Sequence, residues 1–209
     1  AVSDLVRVAR MNSRGAKIKP QIATSAYWQL LTNRNSRIRE LKQLDDKMVA
    51  MTRYSVTDML ADHVVDSAKL KSERVFKVQI NDVNVRLQMM QNNEMDAMFV
   101  TEPQATLARL SKHKLLLDTR KLDWNMGVIA FREKPMNDVD RKRQYDVFVK
   151  AYNQACDSIN KNGIAHYAHL MEKYCRTRRE AIDSIPKTKF HHAVGPREKD
   201  MMLAEKYTK

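Results

Sequence analysis

Two short stretches of this chain bring together side chains that could hold a small polar ligand. In Thr52-Arg53-Tyr54-Ser55-Val56-Thr57, three aliphatic hydroxyls and a guanidinium gather where the apolar run 47–51 gives way to an amphipathic segment beginning near Ser55. A strand followed by a helix there leaves the first backbone N–H groups of the helix without intrahelical partners, and such groups attract a carboxylate, phosphate or sulfonate. The same residues also suit plain helix capping, because Ser55 has Asp58 three positions on. The second stretch runs from Asp96 through Ala97-Met98-Phe99-Val100 to Thr101-Glu102-Pro103. It reads as an apolar strand delivering polar groups to its carboxyl end, where open α/β sheets hold small ligands. Glu102 also fits a simple strand-to-helix turn, with the acid near a helix N-terminus and Pro103 in the first turn.

Other chemistry is sparsely represented. His166 and His169 stand three apart and His191 and His192 are adjacent, but neither pair has an acidic or cysteine companion at a metal-ligand spacing. A chain with 4 glycines has no Gly-rich phosphate loop, and it carries no GxSxG elbow and no HExxH. These patterns give no support to a nucleotide enzyme, a serine hydrolase or a zinc protease, and no cofactor or metal is expected. Tyr27 and Trp28 suit either stacking on a ligand or filling a core. Cys156 and Cys175 leave free thiols and a single disulfide both open.

At 209 residues, with 43% hydrophobic and 30% charged side chains, the chain is globular in composition; 13 Met beside 4 Gly and 5 Pro point to helix-rich packing. The net charge of +13 raises the question of a polyanionic partner. Its distribution answers against one. Residues 1–40 carry 8 Lys/Arg and 2 Asp/Glu, residues 41–169 carry 20 and 17, and residues 170–209 carry 10 and 6, so bases are spread among acids as on a solvated surface. No nucleic-acid partner is expected. No apolar run approaches the roughly 20 residues of a membrane span, and the opening AVSDLVRVARMNSRG lacks the pattern of a secretory signal.

The elements that must position these residues follow from periodicity. Val2, Leu5, Val6 and Ala9 predict a helix ending at Gly15, and KIKPQIATSA predicts a strand whose Pro20 places it at an edge. YWQLLTNRNS reads as an extended connecting segment. Strand and helix then alternate three times: the run 47–51 with a helix from Ser55, VFKVQI with DVNVRLQMMQNN, and DAMFV with PQATLARLSK. This alternation predicts an α/β fold with a mainly parallel sheet covered by helices. After a long polar connection, Gly127–Phe131 reads as a strand. The remainder is helical, led by one long helix with Tyr145, Phe148, Val149, Tyr152, Ala155 and Ile159 on its apolar side, stopped at Asn162-Gly163.

Taken in order, LKQLDDKMVAMTRYSVTDMLADHVV, LQMMQNNEMDAMFVTEP, GVIAFREK and FVKAYNQACDSIN resemble the second lobe, the Asp-Ala strand with its Pro turn, the return strand and the long helix of type II periplasmic substrate-binding proteins of ABC importers. The similarity is greatest to the branch serving nitrate, sulfonates, taurine and thiamine-pyrimidine precursors. It covers about Ile18 to Tyr207. It implies a two-lobe α/β fold with mixed, mainly parallel sheets, an incomplete first lobe and a helical C-terminal region. Residues 1–40 would be the remnant of lobe 1 with the first crossover strand, 41–126 lobe 2, and 127–209 the return crossover strand with the C-terminal helices. Tyr27–Thr32 and Gly127–Phe131 would be the crossings.

By the same resemblance Arg53, Tyr54, Ser55, Thr57 and Glu102, together with Thr24 and Ser25, are the expected ligand-binding residues of a non-enzymatic carrier. Its solute would be a small anionic or polar heteroaromatic molecule, its partner an ABC permease in the membrane, and its location the periplasm or cell surface with a lipoprotein anchor. An incomplete lobe 1 would leave a sheet edge open to self-association. Two further readings use the same fold: the effector domain of a transcriptional regulator, and a protein resembling thiamine-pyrimidine biosynthesis enzymes, which needs a His/Cys cluster that the sequence does not supply.

Overall fold

The computed structural model describes residues 1–208, and the chain folds as two compact units, one made of Ala1–Ala26 and Trp124–Lys209, the other of Tyr27–Asp123. The first unit opens with strand β1 (Val2–Asp4), helix α1 (Leu5–Ser13) and strand β2 (Ile18–Ala23). The second contains β3 (Gln29–Thr32), β4 (Lys47–Met51), α2 (Val56–Ser67), β5 (Val75–Gln79), α3 (Val83–Gln91), β6 (Ala97–Val100), α4 (Gln104–Leu110) and β7 (Lys114–Asp118). The chain then re-enters the first unit with β8 (Gly127–Arg132), α5 (Val139–Asn162), α6 (Ala168–Cys175), α7 (Arg179–Asp183) and α8 (Glu198–Thr208). No helix among the described residues is long and apolar enough to cross a membrane.

In the first unit β8 lies between β1 and β2, antiparallel to both. The helix expected from Val2 starts three residues later, because Val2, Ser3 and Asp4 pair with Ile129, Val128 and Gly127. Asp4 then caps α1 by accepting the Arg7 N–H at 3.0 Å. Pro20 does sit on an edge strand, with a register shift between Pro20 and Ile22, as a residue without a donor requires. The aromatic side of α5 meets β8 where Phe131 packs edge-on against Tyr145 at 5.1 Å and Phe148 at 5.8 Å. Farther along α5, Cys156 is buried and donates to the His191 carbonyl at 3.3 Å. Both cysteines are free thiols.

The second unit is built on a five-stranded sheet of order β5-β4-β6-β3-β7. The three parallel strands β4, β5 and β6 are those whose alternation with helices is visible in the sequence. β3 is the surprise. The segment expected to connect or cross instead lies inside this sheet, antiparallel to both β6 and β7. All four of its residues are buried, as are all four of β6. Strands covered on both faces read as short uninterrupted apolar runs, and four residues are too few to show a period. Against one face pack Leu87 and Met90 of α3 and Ala105 and Ala108 of α4, meeting Leu31, Ala50 and Met98 of the strands. The methionines fill irregular space that branched side chains would leave open.

At the amino end of β7 the sheet holds a buried imidazole. His113 Nδ1 accepts the Arg34 N–H at 3.2 Å, while its Nε2 has no partner among the described residues. Burial, helped by the positive charge of Arg34, holds this pKa below the ordinary value of 6.5. The folded state therefore refuses a proton that the unfolded chain accepts, so the contribution is complete above about pH 6.5 and is lost as the pH falls below it. His113→Asn keeps an acceptor for Arg34 but cannot titrate. In urea unfolding between pH 7.5 and 5, the stability difference between wild type and this variant should shrink with falling pH, by at most about 1.4 kcal/mol per pH unit.

Candidate functional site

Register determines which polar residues share a rim. Parallel pairing puts Met51 beside Gln79, and antiparallel pairing puts Gln29 opposite both Val100 and Asp118. The ends of β4, β5, β6 and β7 and the start of β3 thus lie along one edge of the sheet, its carboxyl rim. Arg86 of α3 draws three of these ends together. Its Nε donates to the Ile80 carbonyl at 2.7 Å, its Nη1 to the Phe99 carbonyl at 2.6 Å, and its Nη2 to Thr52 Oγ1. The arginine is buried, and the cation it fixes beneath the β4 turn is one that sequence reasoning missed. An arginine inside a polar helix segment gives no sign that it will point inward.

The turn from Thr52 to Asp58 is locked by its own side chains. Ser55 Oγ donates to the Thr52 carbonyl at 2.7 Å and accepts the Thr57 N–H at 3.2 Å. Thr57 Oγ1 accepts the Thr52 N–H at 2.9 Å, and Asp58 accepts the Tyr54 N–H at 2.9 Å. Lys77 of β5 holds Asp58 at 2.8 Å and Asp62 at 2.7 Å, and although burial opposes its charge, those two carboxylates leave its pKa above the usual lysine value. Ser55 and Thr57 are only 2% and 5% exposed, so both expected hydroxyls are committed to the frame. The outward-facing groups are Arg53 and Tyr54. Arg53 is exposed and makes no hydrogen bond or ion pair among the described residues. Tyr54 is 51% exposed and adopts φ 60°. That left-handed conformation is unfavourable for a bulky side chain.

Farther along the rim, six side chains close a ring. Tyr27 donates its phenol to Glu102 Oε1 at 3.2 Å, and Arg109 Nη2 donates to the same oxygen at 2.7 Å. Arg109 Nη1 reaches Gln29 Oε1, and Gln29 Nε2 donates to Asp118 at 3.2 Å. Arg120 grips Asp118 with Nη2 at 2.6 Å, and its guanidinium lies 4.1 Å above the centre of the Tyr27 ring. Thr106 adds its N–H at 2.9 Å and its hydroxyl at 2.7 Å to the other Glu102 oxygen. Burial alone would raise the pKa of Asp118; the Arg120 guanidinium outweighs it and holds the carboxyl below the usual range. Asp118 in turn raises the already high pKa of Arg120. Glu102, expected as a ligand contact, therefore has both oxygens engaged inside the unit.

Thr24 and Ser25 lie in the other unit, directly after β2. Thr24 donates its N–H to the Gly127 carbonyl at 2.8 Å, and both residues are partly exposed. The histidine pairs gather no metal set, since the described residues contain no group of three or more His, Cys, Asp or Glu able to hold an ion. His192 instead meets Asp157 at 2.7 Å on the surface. Asp118 and Arg120 escape the sequence reading because β7 there merges into a polar connection, and Arg109 escapes it because a helix read from periodicity does not say which charged residue turns toward the rim.

No protein-family model matches the sequence, and no curated protein does. Solved structures do share the fold. The alkanesulfonate-binding protein SsuA from Xanthomonas axonopodis pv. citri, bound to MOPS, superposes with a TM-score of 0.79 at 15% identity, covering 99% of this chain and 72% of that one. The periplasmic aliphatic sulphonate binding protein SsuA from Escherichia coli gives 0.78 at 16% identity, covering 99% and 67%. The periplasmic nitrate-binding protein NrtA from Synechocystis PCC 6803 gives 0.69 at 12% identity, covering 86% and 53%. The chain has the type II periplasmic substrate-binding fold, with mixed parallel and antiparallel sheets and a helical C-terminal region.

Two stability measurements test the division between frame and outward groups. Tyr54→Asn, which suits the left-handed backbone, should raise the urea midpoint by an amount equivalent to about 0.5–1 kcal/mol with the slope unchanged. Glu102→Gln keeps the shape of the ring but removes the charge facing Arg109, and should cost about 1–3 kcal/mol in the same assay.

Proposed function

We propose that this chain is the solute-binding component of an ABC-type importer, working in the periplasm or at the cell surface, and that it captures a small anionic or polar heteroaromatic molecule for delivery to a membrane permease. It binds and releases its solute without chemical turnover. The observation that carries this reading is Arg53, exposed at the carboxyl rim of a sheet beside the half-exposed Tyr54, on a turn whose shape is fixed by hydrogen bonds of Ser55, Thr57 and Asp58. A guanidinium donates paired hydrogen bonds to a sulfonate or a nitrate, and a tyrosine ring at the next position offers a surface for a heterocycle. The fold is shared with proteins that bind alkanesulfonates and nitrate. In this reading Arg53 and Tyr54 contact the solute, Ser55 and Thr57 fix the backbone of their turn, and Glu102 holds the ring farther along the rim; Thr24 and Ser25 are proposed as further ligand contacts.

The test is a thermal-shift and calorimetric screen of the chain against methanesulfonate, taurine, nitrate and an aminopyrimidine. A true solute at a hundred times its dissociation constant should add about 2.7 kcal/mol of stability. Arg53→Ala should reduce affinity for an anionic solute at least tenfold while leaving the melting temperature of the unliganded chain unchanged. A chain that gains no stability from any of these compounds would end the carrier reading.

A further inference from the structure

We propose that Arg120 selects oxyanions by their shape, with Asp118 and Tyr27 as the positioning residues that aim it; this rests on the carrier reading above and names the solute class it would favour. The guanidinium is constrained on one edge and one face. Its Nε donates to Asp118 Oδ1 at 3.0 Å and Oδ2 at 3.2 Å, and its Nη2 donates to Oδ2 at 2.6 Å. Its plane rests 4.1 Å from the Tyr27 ring centre, and that ring is itself anchored through its phenol to Glu102 at 3.2 Å. The side chain nonetheless remains 48% exposed. Among the described residues Nη1 makes no hydrogen bond.

A guanidinium carries five donors in a rigid fork. With Nε and one side of Nη2 taken by Asp118, the remaining edge, formed by Nη1 and the outer N–H of Nη2, faces away from that carboxylate. Such an edge matches two oxygens of one sulfonate, nitrate or carboxylate, and gives a spherical halide no second contact. The Asp118 charge cancels most of the long-range pull of Arg120. Direction, more than net charge, therefore does the selecting.

Titration calorimetry with methanesulfonate, nitrate, chloride and an aminopyrimidine separates this proposal from the reading beneath it. The wild-type chain should bind methanesulfonate or nitrate in preference to chloride. Arg120→Lys keeps the charge but loses the fork, and should weaken oxyanion binding at least tenfold. Asp118→Asn gives the sign test. It makes the rim more positive but frees the guanidinium to rotate, so an oriented fork predicts weaker oxyanion binding and a simple charge predicts tighter binding. Melting curves of each variant come first; should Asp118→Asn not fold, Arg120→Lys decides alone. Wild-type affinity in Arg120→Lys, tighter binding in folded Asp118→Asn, or a wild-type chain that binds only the aminopyrimidine overturns the Arg120 proposal and leaves the carrier reading standing. A wild-type chain that binds none of these probes removes both.

Discussion

The second unit depends on satisfying one buried amide. Gln29 opens β3 with almost no solvent exposure, and an amide in that position is destabilising unless both its ends find partners. Its oxygen takes Arg109 from helix α4 and its nitrogen takes Asp118 from the neighbouring strand β7. Each partner is an ion that needs a counter-ion in turn: Glu102 for Arg109, and Arg120 for Asp118. Tyr27 joins the two ion pairs, bonding Glu102 with its hydroxyl and carrying Arg120 on its ring. A partly satisfied network of this kind would be worse than an apolar core, so the ring forms as a whole. It also gives β3 a reason to hold its register, because a one-residue slip would carry Gln29 to the opposite face.

The consequence for the rim is a separation of labour among its polar groups. Within the ring two acids face two bases, so its charge balances locally. Arg86 is held by two carbonyls and a hydroxyl, and Arg53 stands exposed at the turn after β4.

The parallel part of the second unit is legible in the sequence because strands near 47–51, 75–79 and 97–100 are each followed by a turn and a helical segment. Periodicity failed where no period existed: β3 is four residues buried on both faces, and β7 is a half-exposed strand ending in charged residues. The candidate site is legible only in its frame. Ser55 and Thr57 carry a local capping signature, which does not say that their hydroxyls turn inward. Arg86 and Arg109 carry no such signature, because they bond Phe99 and Gln29 across 13 and 80 positions of chain, and no local pattern encodes such distances. Arg120 bonds Asp118 two positions away, but nothing local in the sequence marks its stacking on Tyr27.

The turn that carries Arg53 and Tyr54 has its shape set by Ser55, Thr57 and Asp58, none of which is the pair's own side chain. The backbone that displays Arg53 is thus written by its neighbours, so that position can vary while the loop keeps its form.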